Sequence, residues 1–210
     1  MSELFTADMH LGHGNIIAYC KRPWLQDGDV EELPEGRVRW VSPEIKEART
    51  VAMNRALVQF WNETVTAKDT VKHLGDFCLH RRDSDEDAVY WEKKLNGKLI
   101  HFKGNHDRSR EIKGMLGCAT MKAGGHEFLL QHRPPERIEE VPDFCDVVLC
   151  GHVHEAWEHK WIGSLLVVNV GVDVWNFRPV PLEKIVAVVD KLQHERKSSG
   201  LGPLPCNGGS

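Results

Sequence analysis

No two cysteines in this sequence stand in a CxxC pair, so neither a zinc ribbon nor a dithiol redox motif is available. The six present (Cys20, Cys78, Cys118, Cys145, Cys150 and Cys206) are scattered, as free thiols in a reducing compartment are. No apolar run approaches membrane-spanning length, and the opening MSELFTADMH has neither the basic flank nor the apolar core of a secretory leader. A soluble cytoplasmic protein without membrane association is expected. Basic excess is missing too. A net charge of −4 and a pI near 6.3 give no overall positive field to drive non-specific nucleic-acid binding, which leaves that partner only a local basic patch.

What the sequence does have is histidine, 12 in 210 residues, and its placement matters more than its number. Short runs rich in Val, Ile, Leu and Phe alternate with segments of helical pattern, which argues for a layered α/β protein. Strands are expected at Leu4 to Ala7, Thr70 to Leu74, Lys98 to Phe102, Cys118 to Ala123, Glu127 to Gln131, Asp146 to Cys150, Leu165 to Val170 and Ile185 to Asp190. Helices are expected from Asn15 to Cys20, Pro43 to Glu63 and Ser84 to Leu95. The length suits one domain over residues 1–193. Within it, 25–42 is polar and turn-rich, a long loop or flap that covers a site. Residues 194–210, dominated by Gly, Ser and Pro, are expected to be a disordered tail.

Several expected strands run straight into side chains able to bind metal: LFTADMH, TVKHLGD, LIHFKGNHD, EFLLQH and VVLCGHVH. In an open α/β sheet the carboxyl ends of strands share one edge, so these distant segments can converge. The set is Asp8, His10, Asp76, Asn105, His106, His132, His152 and His154. Carboxylate oxygens mixed with neutral imidazoles suit Mn first, with Fe, Zn or Ni as alternatives, better than Mg or Ca. The absence of thiolates fits catalysis rather than a closed structural site. Two ions about 3.5–4 Å apart can activate a hydroxide between them and neutralise the oxygens of an in-line phosphoryl displacement. His132 is preferred over nearby His101 and His126 because it follows the apolar FLL and precedes Arg133-Pro134, where a strand should end. His73, inside a strand run, reads as a core or edge histidine.

In order, the motifs are Asp8-Met9-His10, Gly75-Asp76, Gly104-Asn105-His106-Asp107, a lone His132 and Gly151-His152-Val153-His154. This series resembles the calcineurin-like metallophosphoesterase superfamily. TADMHLGHGNIIAYCKRP and VNVGVDVWNFRPVPLEKI look like a group of small bacterial and phage phosphoesterases within it. The resemblance implies a four-layer α/β/β/α sandwich, two mixed sheets flanked by helices, acting on a phosphoester substrate. It implies that Asp8, His10, Asp76 and His154 hold one metal and that Asp76, Asn105, His132 and His152 hold the other, with Asp76 shared. His106 then donates a proton toward the leaving oxygen, and Asp107 orients it or caps a turn. Where protein phosphatases of the superfamily read GDxVDRG, this chain reads GDFCLHRR, which weakens that subclass. His13, Asn15 and Arg22 are expected to touch substrate phosphate, Arg22 through its planar fork, although Asn15 can instead cap a helix. Phosphodiester hydrolysis is favoured over monoester hydrolysis. The rivals are a nucleic-acid processing nuclease and a scaffold that has lost catalysis.

Overall fold

The computed structural model describes residues 1–79, 85–107 and 112–199. Two mixed sheets stack face to face. The first has the order β11-β1-β4-β5, in which β1 (Glu3–Thr6), β4 (Thr70–His73) and β5 (Lys98–His101) are parallel and β11 (Val180–Pro181) is antiparallel. The second has the order β6-β7-β8-β10-β9. There β7 (His126–Gln131), β8 (Val147–Cys150) and β10 (Leu165–Asn169) are parallel, between antiparallel edges β6 (Cys118–Ala123) and β9 (His159–Ile162).

Alternation along each strand explains the layers, because successive side chains leave a strand on opposite faces. Phe5, Phe128, Leu130, Leu149, Leu166 and Val168 point into the space between the sheets. Their neighbours Leu129, Val148, Leu165 and Val167 face outward beneath Val141, Cys145 and Trp157. Leu4 and Val71, on the outer face of the first sheet, meet Met53, Leu57 and Trp61 of α2 (Pro43–Thr64) and Trp91 of α3 (Ala88–Glu92). Helix α1 (Gly14–Tyr19) adds Ile16 and Ile17 to that layer. The start of α2 is fixed by Pro43 at its first position and by Ser42, whose Oγ accepts from the Ile45 N–H at 3.1 Å.

Two sequence expectations need correcting. Ile185 to Asp190 is not a strand but the middle of α4 (Leu182–Ser198). The β-branched run IVAVV reads as a strand, yet Ile185 and Val189 stand one turn apart and both pack into the inter-sheet core, with Glu183 in the first turn and Arg196 and Lys197 in the last. The same helix carries order to Ser198, past the expected start of the tail at His194, while residues 200–210 lie outside the described residues. The stretch 25–42, expected as a loop or flap, holds an antiparallel hairpin of β2 (Val30–Glu32) and β3 (Val38–Trp40). Asp29 ties this hairpin to α2 by accepting from Arg49 Nε at 2.7 Å. The expected helix start at Ser84 also falls outside the described residues. Among the described residues no helix is long and apolar enough to cross a membrane.

Candidate metal centre

Strands β1, β4, β5, β7 and β8 all deliver their carboxyl ends to one edge of the sandwich, and the metal-capable residues follow there. Asp8, His10 and His154 offer ligand atoms that all lie within 4.8 Å of one another, and so do Asp76, His132 and His152. Asp76 stands between the two groups: its Oδ2 is 3.5 Å from His10 Nε2 and 3.4 Å from His132 Nε2. Asn105 Oδ1 lies 3.0 Å from His132 Nε2, which brings it to the second group. His106 is exposed beside the first group, its ring 5.2 Å from that of His10. His101 and His126 are elsewhere, engaged with Glu92 and with Asp146 and Asp190.

The loops reach this geometry through uncommon backbone conformations. Asp8, His10, Asp76, His152 and His154 all have φ between 47° and 73°, the left-handed region that non-glycine residues seldom occupy. Backbone pairing holds them there: Asp8 N–H donates to Gly75 O and His10 N–H to Asp76 O, each at 3.0 Å. The side chains brace one another as well. Asp8 Oδ2 accepts from the His152 N–H at 2.8 Å, and Asp76 Oδ1 from the His106 N–H at 2.8 Å. Close approach excludes any side chain at two glycines. A Cβ at Gly104 would lie 2.1 Å from Asp76 Oδ1, and one at Gly151 would lie 2.4 Å from Asp8 Oδ2.

Burial sets the charge balance. Complete burial pushes the Asp8 carboxyl up to about 6 against the pull of His154 and His132. Burial works the same way on Asp76, but hydrogen bonding and charge from His132, with His10 beside it, hold that carboxyl well below the usual range. Burial also drives His10 far below its ordinary value, so its ring is neutral, as a ligand must be. His13 is lowered to about 4 by burial first, then by the neighbouring His106 and by the Lys46 ammonium.

Two observations fit divalent metal. Asp8 Oδ1 and His10 Nε2 are buried without a hydrogen-bond partner among the described residues, an expensive arrangement unless a ligand satisfies them. The second ring nitrogens of His132 and His154 are engaged, as metal-binding imidazoles require: His132 Nδ1 donates to Leu74 O at 2.9 Å, and His154 Nδ1 lies 3.2 Å from Asp173 Oδ2.

Arg22 is not a substrate contact. It is 1% exposed, and its fork donates to both oxygens of Asp173, at 2.8 and 2.9 Å, and to the carbonyls of Met9 and Asp8. The buried cation thus fastens the first ligand loop to the segment that orients His154. Asn15 does not cap α1, whose N-cap is His13, without a side-chain cap bond. Instead it lines a cavity of about 300 Å³ with His13 and Lys46. Sequence reasoning missed Asp173 and Asn169. Asn169 donates to the carbonyls of His154 and Trp157 and accepts from Gly171, shaping the turn after the last ligands. The available signal was an acid and an amide set in the apolar VVNVGVDVW, since polar groups buried there must be paired.

A family profile for the calcineurin-like phosphoesterase superfamily domain matches residues 53–190, which include every site residue from Asp76 to His154 but not Asp8 and His10. An uncharacterised protein of Methanocaldococcus jannaschii is 30% identical over 188 residues, 88% of this chain and 89% of that one. The crystal structure of a protein of unknown function from Aquifex aeolicus shares the fold, with a TM-score of 0.59 at 23% identity over 91% of this chain and 98% of that one. The chain belongs to the calcineurin-like phosphoesterase superfamily. It is a metallophosphoesterase, a metal-dependent hydrolase of phosphoric esters.

Proposed function

We propose that the chain hydrolyses a phosphodiester at a centre of two divalent ions, Mn first with Fe, Zn or Ni as alternatives. The observation that carries this reading is the single Asp76 oxygen placed between two ligand groups. Asp8, His10, Asp76 and His154 would hold one ion; Asp76, Asn105, His132 and His152 would hold the other. Two such ions supply Lewis acidity to the phosphoryl oxygens and lower the pKa of water enough for in-line attack near neutral pH.

The remaining work falls to the chain's own residues. Asp76 and His132 keep each other oriented, and Leu74 O fixes which His132 nitrogen faces the centre. His106 stands at the open side, its backbone held by Asp76, where its imidazole can give a proton to the departing oxygen. His13 and Asn15 flank that side and contact the substrate.

The test is hydrolysis of bis-p-nitrophenyl phosphate and p-nitrophenyl phosphate with Mn added or chelated. Turnover should require the metal, favour the diester and disappear in Asp76→Asn. His106→Ala should fall about 100-fold or more on esters of poorly leaving alcohols. A monoester preference would overturn the diester assignment, and absence of turnover with every divalent metal would overturn the two-ion hydrolysis reading.

A further inference from the structure

Beside the ligand loops lies a cavity of about 300 Å³ lined by His13, Asn15, Pro43, Lys46, Glu47 and Leu79. Its walls are continuations of the catalytic segments. Gly12 to Asn15 follow Asp8 and His10, while Leu79 follows Asp76 and is tied back by its N–H to Leu11 O at 2.8 Å. The third wall is the first turn of α2. Gly14 lets that helix come close, because a Cβ there would meet Thr50 Oγ1 at 2.3 Å and the Lys46 chain at 3.0 Å. The Lys46 stem therefore lies across α1 beside His13, whose ring centroid is 5.7 Å from that of His106.

We propose that this cavity receives the departing alcohol of the phosphoester, that this alcohol is a hydroxylated one of about sugar size, and that Lys46 is the residue selecting it. The inference rests on the phosphoesterase reading, which places His106 on the leaving-group side. Chemistry of the lining chooses the class. Lys46 and Asn15 offer donors and Glu47 and Asn15 acceptors, which vicinal hydroxyls need together, and Pro43 and Leu79 offer apolar surface for the C–H face of a sugar ring. The volume stands at the small end of ligand sites, enough for one sugar and too little for an extended polymer.

The test is calorimetric binding to the Mn-loaded full chain of two non-hydrolysable probes, the phosphonate analogue of ribose 5-phosphate and methylphosphonate, which differ only by the sugar. The sugar phosphonate should bind more tightly, and Lys46→Met should shrink that gap about tenfold, with Lys46→Arg keeping most of it. Equal binding of the two probes by the wild type, or a gap that survives Lys46→Met, would overturn the inference. Hydrolysis of bis-p-nitrophenyl phosphate by the same preparation separates the two readings. A silent enzyme that still prefers the sugar phosphonate defeats the hydrolytic reading and supports the pocket.

Discussion

Replacing Asp107 should damage the protein more than any exposed role for that residue allows, and by an amount that can be worked out. Asp107 is 7% exposed, and its two oxygens accept three buried backbone N–H groups: Asp76 at 2.7 Å and Gly104 at 2.9 Å on Oδ2, Phe77 at 3.0 Å on Oδ1. One carboxylate thereby ties the second ligand loop to the third. Asp107→Ala strands all three donors; at about 1–3 kcal/mol for each, reduced by water entry and local relaxation, the cost is about 3–6 kcal/mol. Asp107→Asn can turn its oxygen toward Asp76 and Gly104 and leave its NH₂ facing the Phe77 N–H. That strands one donor, for about 1–3 kcal/mol. Urea unfolding with an unchanged slope measures both differences. Mn affinity should fall in the same order, Ala below Asn below wild type, because the Asp76 loop loses its anchor. An alanine variant within about 1 kcal/mol of wild type, or an Asn variant as unstable as Ala, would mean that Asp107 does not hold these three N–H groups.

Gly151→Ala and Gly104→Ala should each reduce Mn retention and turnover about 100-fold, since a methyl would displace the Asp8 or Asp76 carboxylate, read by metal titration on protein whose melting is checked in parallel. Arg22→Met should cost about 3–5 kcal/mol in urea unfolding, because it leaves the Asp173 carboxylate buried without its cation. His126 gives a pH signature far from the metals. Burial disfavours its cation, but hydrogen bonds to Asp190 at 2.9 Å and Asp146 at 2.7 Å prevail and raise its pKa above the ordinary value. The pair therefore stabilises fully below the unfolded value of about 6.5 and loses that contribution as pH rises through the higher folded value. His126→Gln should accordingly be more destabilising at acidic than at alkaline pH, measured by urea unfolding at both.

The convergence of the metal-capable residues was legible because each follows a strand, and the parallel strands of both mixed sheets deliver their carboxyl ends to one edge. His132 could be separated from His101 and His126 by the apolar run before it. What could not be read was how the loops are held. Arg22 looks like a phosphate contact because guanidinium suits phosphate, and only the fold reveals that Asp173, 151 residues away, accepts from its Nε and Nη2. Left-handed backbone at Asp8, His10, Asp76, His152 and His154 leaves no mark in the sequence beyond the glycines nearby. Helix α4 was mistaken for a strand because β-branched residues outweighed a one-turn spacing that only packing decides. The hairpin at 30–40 escaped because three-residue strands are too short to show a period.

A two-ion centre differs from a single-ion one in that both ions share Asp76. Crystals grown with Mn and measured at the Mn absorption edge test it most directly. Two anomalous peaks about 3.5–4 Å apart should appear, one against Asp8, His10 and His154, the other against Asn105, His132 and His152, with Asp76 between them. A single peak with Asp76 at its margin, or none under saturating Mn, would contradict it.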